Sequence, residues 1–115
     1  MNNREIGNWG EEKAIEYLSS KAYQIIEHNF TYARGEIDII ASKDEYLIFI
    51  EVKLRTSNQF GSPEFAVDKR KQQKIRTVAE YYLLKNSTNK KIRFDVIAIE
   101  VNDGKGSLKH YENAF

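Results

Sequence analysis

Two short segments carry charge where core strands should be apolar. They are Gly35-Glu36-Ile37-Asp38-Ile39-Ile40 and Ile48-Phe49-Ile50-Glu51-Val52-Lys53. The second is a run of β-branched and aromatic residues, the composition of a buried strand. Glu51 and Lys53 are two apart and so project from one face of it, together with Phe49. Glu36, Asp38 and Ile40 share one face of the other strand by the same rule. Ionised groups on strands this apolar are costly unless they are paired or bound to a metal. A divalent-cation site with a neighbouring ammonium group would use Asp38, Glu51 and Lys53 together.

The connection between the strands decides how close the carboxylates come. Ser42-Lys43-Asp44-Glu45 reads as a hairpin turn. A turn centred between Asp44 and Glu45 puts Asp38 opposite Glu51; a turn one residue earlier sets them on a diagonal. Either register lets both carboxylates share one cation. Two carboxylates, a backbone carbonyl and waters suit Mg²⁺ or Mn²⁺. Such an ion lowers the pKa of a bound water and offsets charge on a phosphate. Lys53 could orient that water or stabilise the phosphorane-like transition state. The competing structural reading is a buried Asp–Lys–Glu ion network, an arrangement that often gives little net stability.

The elements that must position these groups follow from periodicity. A first helix is expected over Asn3 to Ser20. Gly7, Glu11, Ala14, Ile15 and Leu18 form one stripe of it, so Glu11 faces inward as a salt-bridge partner or a further acidic group at the site. An extended segment follows from Lys21 to Tyr32, then a turn at Ala33-Arg34-Gly35. Strands are expected over Glu36 to Ala41 and Tyr46 to Leu54. Thr56 to Gly61 reads as a mobile polar loop. Ser62 caps a helix start with Pro63 at the first helical position, and one helix or two short ones run to Lys85. Ile92 to Val101 is a strand, Asn102 to Gly106 a turn, and Ser107 to Tyr111 a short edge strand. The order α-β-β-β-α-β-β implies a single α/β domain over residues 1–115, with a central mixed sheet flanked by helices.

Composition narrows the chemistry. The 115 residues contain no cysteine, which excludes disulfides, zinc–thiolate sites and thiol nucleophiles. Only His28 and His110 are present, a poor basis for histidine metal sites or triads. Neither has a partner at a telling spacing, and both are expected at the surface. No apolar run approaches the roughly 20 residues of a membrane-spanning helix. No apolar signal-peptide core follows Met1, so a cytoplasmic setting is the expectation.

Net charge is only +1, but basic residues cluster. Lys69, Arg70, Lys71, Lys74 and Arg76 fall together, and a second patch holds Lys85, Lys90, Lys91 and Arg93. Such clusters can track phosphates; the plainer reading is a solvated helix face. Lys71 lies on the stripe of Ile75, Val78 and Tyr82, so it either snorkels or leans toward the acidic site. Arg55 is placed to hold a phosphate. Asp95 is expected to pair with Arg93 in a core strand. Trp9, Tyr17, Tyr81 and Tyr82 read as packing residues.

Gly35-Glu36-Ile37-Asp38 followed by Glu51-Val52-Lys53, with Glu11 in a preceding helix, resembles the PD-(D/E)xK nuclease superfamily. Within it, the layout resembles archaeal Holliday junction resolvases. The whole chain is similar to the YraN-type family of small bacterial proteins, on segments spread from Gly10-Glu11 through Asn29-Phe30, Phe60-Gly61 and Arg93-Phe94-Asp95-Val96. The motif's proline is Ile37 here. The resemblance implies a restriction-endonuclease-like fold and a metal-dependent endonuclease acting on DNA, including branched or structured DNA. It assigns metal ligation to Asp38 and Glu51, the catalytic lysine to Lys53 and a supporting acid to Glu11. Arg55, Lys69, Arg70, Lys71, Lys74 and Arg76 are the expected nucleic-acid contacts. A near-neutral chain would combine two basic patches as a homodimer or use a partner. The alternatives are a nucleic-acid-binding or adaptor module with little catalysis, and a structural protein built on an ion network.

Overall fold

Helix α1 spans Asn3–Ser20 and is capped by Asn2, whose side chain accepts the Glu5 N–H at 2.9 Å. The computed structural model describes residues 2–56, 67–102 and 105–115. At its C-terminus α1 closes with the Tyr23 N–H on Leu18 O at 3.0 Å and the Ala22 N–H on Ser19 O at 3.2 Å. Ala22 takes the left-handed conformation (φ 67) that this closure demands. These residues fold back, so strand β1 runs over Gln24–Tyr32 and not from Lys21 as its composition suggested.

Ala33 and Arg34, both with positive φ (49 and 68), join β1 to β2, Gly35–Lys43. Positive φ at both central positions matches the right-handed twist of the flanking strands. Strand β3, Tyr46–Thr56, returns after Asp44 (φ 52), with Lys43 opposite Tyr46. Of the two registers open to this hairpin, that is the one centred between Asp44 and Glu45. The expected loop over residues 57–61 and helix start at Ser62-Pro63 lie outside the described residues. Helix α2, Lys69–Lys85, begins at Asp68, whose side chain accepts the Lys71 N–H at 2.8 Å. Strand β4, Lys91–Asn102, lies parallel to β3, and β5, Lys105–Tyr111, is antiparallel to β4.

The result is a mixed α/β fold with a five-stranded sheet in the order β1-β2-β3-β4-β5. Side-chain alternation builds two cores on it. Ile39, Ile48, Ile50, Ile97 and Ile99 pack with Ala14 and Leu18 of α1. Phe49, Phe94 and Val96 pack with Ile75, Val78, Ala79 and Tyr82 of α2. No described helix is long and apolar enough to cross a membrane.

On the α1 side, Asp95 is fully buried and fully paired. Arg93 donates to its two oxygens at 2.9 Å each, and the Asn113 N–H donates at 2.9 Å. His110 Nε2 lies 2.7 Å from Asp95 Oδ2, and its Nδ1 is 2.9 Å from the Tyr17 hydroxyl. His110 is therefore a core group and not the surface residue its spacing implied. Its partners lie 15 and 93 residues away, beyond the reach of local pattern. Burial pushes the Asp95 carboxyl up. The hydrogen bonds from His110, Arg93 and Asn113 outweigh burial and leave it below the ordinary carboxylate value.

A carboxyl depressed on folding stabilises the protein above its unfolded pKa and loses that contribution as pH falls through the folded value. Asp95→Ala should cost about 3–5 kcal/mol at pH 7, because it leaves Arg93 buried without its carboxylate. The deficit relative to wild type should shrink below about pH 4. Urea midpoints of both proteins at several pH values check this.

Candidate functional site

The β2–β3 ladder stops at Ile39 and Ile50. One step further, Asp38 would stand opposite Glu51. There the Asp38 Oδ2 accepts the Val52 N–H at 2.8 Å, a side chain taking a ladder donor. The β1 side of Asp38 is irregular too. His28 pairs with Ile39 and Phe30 with Ile37, while Asn29 between them has φ 54. Asparagine tolerates that conformation better than most residues. Ile37 and Ile40, three apart, both join the α2-side core, so strict alternation slips at Asp38.

Asp38 and Glu51 meet at this opening, close enough for each to act on the other. Glu51 is only 5% exposed. Burial first, then the Glu51 charge and the shared hydrogen bond, push Asp38 up from 3.8 to about 9. The Val52 N–H pulls the other way, and Glu11 adds to the rise. Asp38 is thus held protonated at neutral pH beside Glu51, since two carboxylates this close cannot both ionise cheaply.

Three neighbours frame the pair. Glu11 of α1 accepts the Asn29 amide at 2.6 Å, and the same amide lies 3.4 Å from exposed Glu36. Lys71 of α2 sits 3.2 Å from Glu51. Burial lowers the Lys71 ammonium, but the charge and hydrogen bond of Glu51 outweigh it and raise it above the ordinary lysine value. Lys53 is half-buried, two residues beyond Glu51 on β3, and forms no ion pair among the described residues.

The expected basic cluster divides. Lys71 is held by Glu51, and Arg76 lies over the Phe94 and Phe115 rings, 4.6 and 5.6 Å from their centroids. Lys69, Arg70 and Lys74 stay exposed, and the last two line a groove against the β1–β2 hairpin. Arg55 is half-buried further along β3, engaged with other groups. Asn29, which bridges two acids, was given no site role from sequence. Its only local signal is an asparagine inside an otherwise extended run.

Among the described residues, no three acidic, histidine or cysteine side chains form a metal-holding group. The donor set is a carboxylate pair. That suits a hard cation which keeps several of its waters, as Mg²⁺ does. A cation between Asp38 and Glu51 would relieve the repulsion that raises Asp38.

The sequence profile of the uncharacterised protein family UPF0102 matches residues 10–99. A UPF0102 protein of Syntrophomonas wolfei is 47% identical, covering 98% of this chain and 99% of its own length. One from Thermodesulfovibrio yellowstonii is 49% identical over 96% of each chain. One from Clostridioides difficile is 45% identical over the full length of both.

A carboxyl raised on folding costs nothing below its unfolded pKa and an increasing amount as pH climbs toward the folded value. Asn at position 38 can keep both contacts, accepting from Val52 and donating to Glu51, without the proton. Asp38→Asn should therefore stabilise the protein by about 1–2 kcal/mol near neutral pH. The gain should be absent below about pH 4 and grow toward pH 9. Thermal denaturation across that range measures it; a loss of stability at every pH would mark the pair as structural.

Proposed function

The chain belongs to the UPF0102 (YraN-type) family, and we propose that it is a metal-dependent endonuclease that hydrolyses DNA phosphodiester bonds, including those of branched or structured DNA. The observation that carries this reading is the meeting of Asp38 and Glu51 at the opening of the sheet, where the β2–β3 ladder ends and Asp38 takes the Val52 N–H. The element order and the mixed sheet support a restriction-endonuclease-like fold.

Asp38 and Glu51 would hold Mg²⁺ or Mn²⁺, which supplies a water of lowered pKa and positive charge beside the phosphate. The chain's own groups do the rest. Loss of the Asp38 proton frees both carboxylates as oxygen donors. Lys71 neutralises Glu51 in the resting site and can turn to a phosphate oxygen once Glu51 is engaged. Lys53, uncommitted to any described carboxylate, would stabilise charge on the phosphate as the bond breaks. Glu11 and Asn29 fix the α1 side of the site.

A second reading rests on the Lys71–Glu51 ion pair. A site whose buried acid is already neutralised by protein fits a nucleic-acid-binding module with little catalysis.

Linear, nicked and four-way DNAs incubated with Mg²⁺ or Mn²⁺ separate the two. The nuclease reading expects cleavage that chelation abolishes. Asp38→Asn, Glu51→Gln and Lys53→Met should each reduce the rate by about 10²-fold or more. DNA binding with no cleavage of any substrate would favour the second reading.

A further inference from the structure

The β1–β2 hairpin and the first half of α2 enclose a groove of about 370 Å³. Tyr32, Gly35, Arg70, Gln73, Lys74 and Val78 are among its walls. Arg70 and Lys74 are one helical turn apart, so their cationic heads project along the same wall. Both are exposed and make no ion pair with a described carboxylate. Tyr32 is held from behind by Tyr81, with ring centroids 3.7 Å apart and planes 8° apart. Lys85 in turn lies 5.8 Å from the Tyr81 centroid. The floor at Gly35 is bare. A Cβ built there would come within 2.6 Å of Val78 Cγ2, so the hairpin packs directly on the helix.

An aromatic ring, a small apolar floor, an amide and two cations are one lining. It matches a group with a flat apolar part and an adjoining phosphate. A bare phosphate would leave the ring and floor unused, and an apolar ligand would leave the cations unused. The volume is that of a small-molecule pocket.

We propose that this groove is a subsite for one unpaired nucleotide of a nucleic-acid strand, its base against Tyr32 and its phosphate on Arg70 and Lys74. The inference rests on the nuclease reading and names the substrate class. Gly35 is three residues from Asp38 along β2, about 10 Å. A strand seated in the groove therefore passes the acidic pair within a few phosphates. A base inside a duplex is stacked on both faces and cannot offer one to a protein ring, so the nucleotide here is single-stranded or displaced. The preferred substrate then has unpaired character beside the scissile bond.

Binding of a fluorescein-labelled, mixed-sequence DNA oligonucleotide tests this, measured by anisotropy in EDTA so that no cleavage occurs. The same sequence as a duplex serves as comparison. The R70Q/K74Q double variant should weaken single-strand binding and flatten its log–log salt slope by about 1.4, two contacts' worth. Tyr32→Leu should weaken it about 5-fold or more with the slope unchanged, because stacking releases no ions. Lys13→Gln, on α1 and outside the groove, should have no more than a weak effect. All four side chains are exposed, so these changes leave the buried core intact. Single-strand binding unchanged in both groove variants would overturn the subsite. So would equal losses for single strand and duplex under Tyr32→Leu. If wild type still cleaves DNA in Mg²⁺ in those cases, the nuclease reading survives and only the subsite falls. If wild type neither binds nor cleaves any DNA, both fall.

Discussion

The β2–β3 ladder ends one residue short of Asp38, and a carboxylate takes the donor that backbone would otherwise have paired. The Val52 N–H cannot stay unsatisfied in this interior, and Asp38 Oδ2 at 2.8 Å satisfies it. That bond fixes the carboxyl in the plane of the sheet, where the strands part. It also forces Asp38 against Glu51, because the hairpin register leaves no other opposite residue. Groups from both helices then reach one point. Glu11 comes from α1, Lys71 from α2, and both act on the same acidic pair. A ladder continued by backbone alone would leave no opening between the two helical layers.

Two aspartates on this sheet show how environment sets role. Asp95 and Asp38 are both removed from water, and burial pushes both upward. Asp95 receives a bidentate arginine, a histidine and a backbone N–H, and ends below its ordinary value. Asp38 receives one backbone N–H and faces other carboxylates, and ends near 9. The first is a finished network with nothing left to bind. The second keeps two oxygen-rich groups together at a cost, with one ammonium to offset Glu51. A carboxyl held this far above its ordinary value is more often tolerated for chemistry than for stability.

Much of the fold was legible because it is local. The α1 limits, the β2–β3 hairpin and the element order follow from period, capping and turn residues. Asp44 in the left-handed region fixes the register that sequence left as one of two. Features without a local signature were not legible. The Schellman closure of α1 uses Ala22 where a glycine would have announced it. His110 draws its partners from β4 and α1. The spacing of Lys71 favoured snorkelling over leaning toward the site, and only the packing of α2 on β2 and β3 shows it on Glu51. The basic run from Lys69 to Arg76 looked like one surface. Helical geometry sends Lys71 to the acidic pair, Arg76 to aromatic rings, and Arg70 and Lys74 to the groove.

In the proposed reading, Asp38 holds a proton beside Glu51 at the point a divalent cation would take. The most direct measurement is a carboxyl ¹³C NMR titration of Asp38, with and without Mg²⁺. Without the ion the midpoint should lie near 9, and saturating Mg²⁺ should move it down toward the ordinary carboxylate range. A midpoint near 3.8 that Mg²⁺ leaves in place would contradict the account.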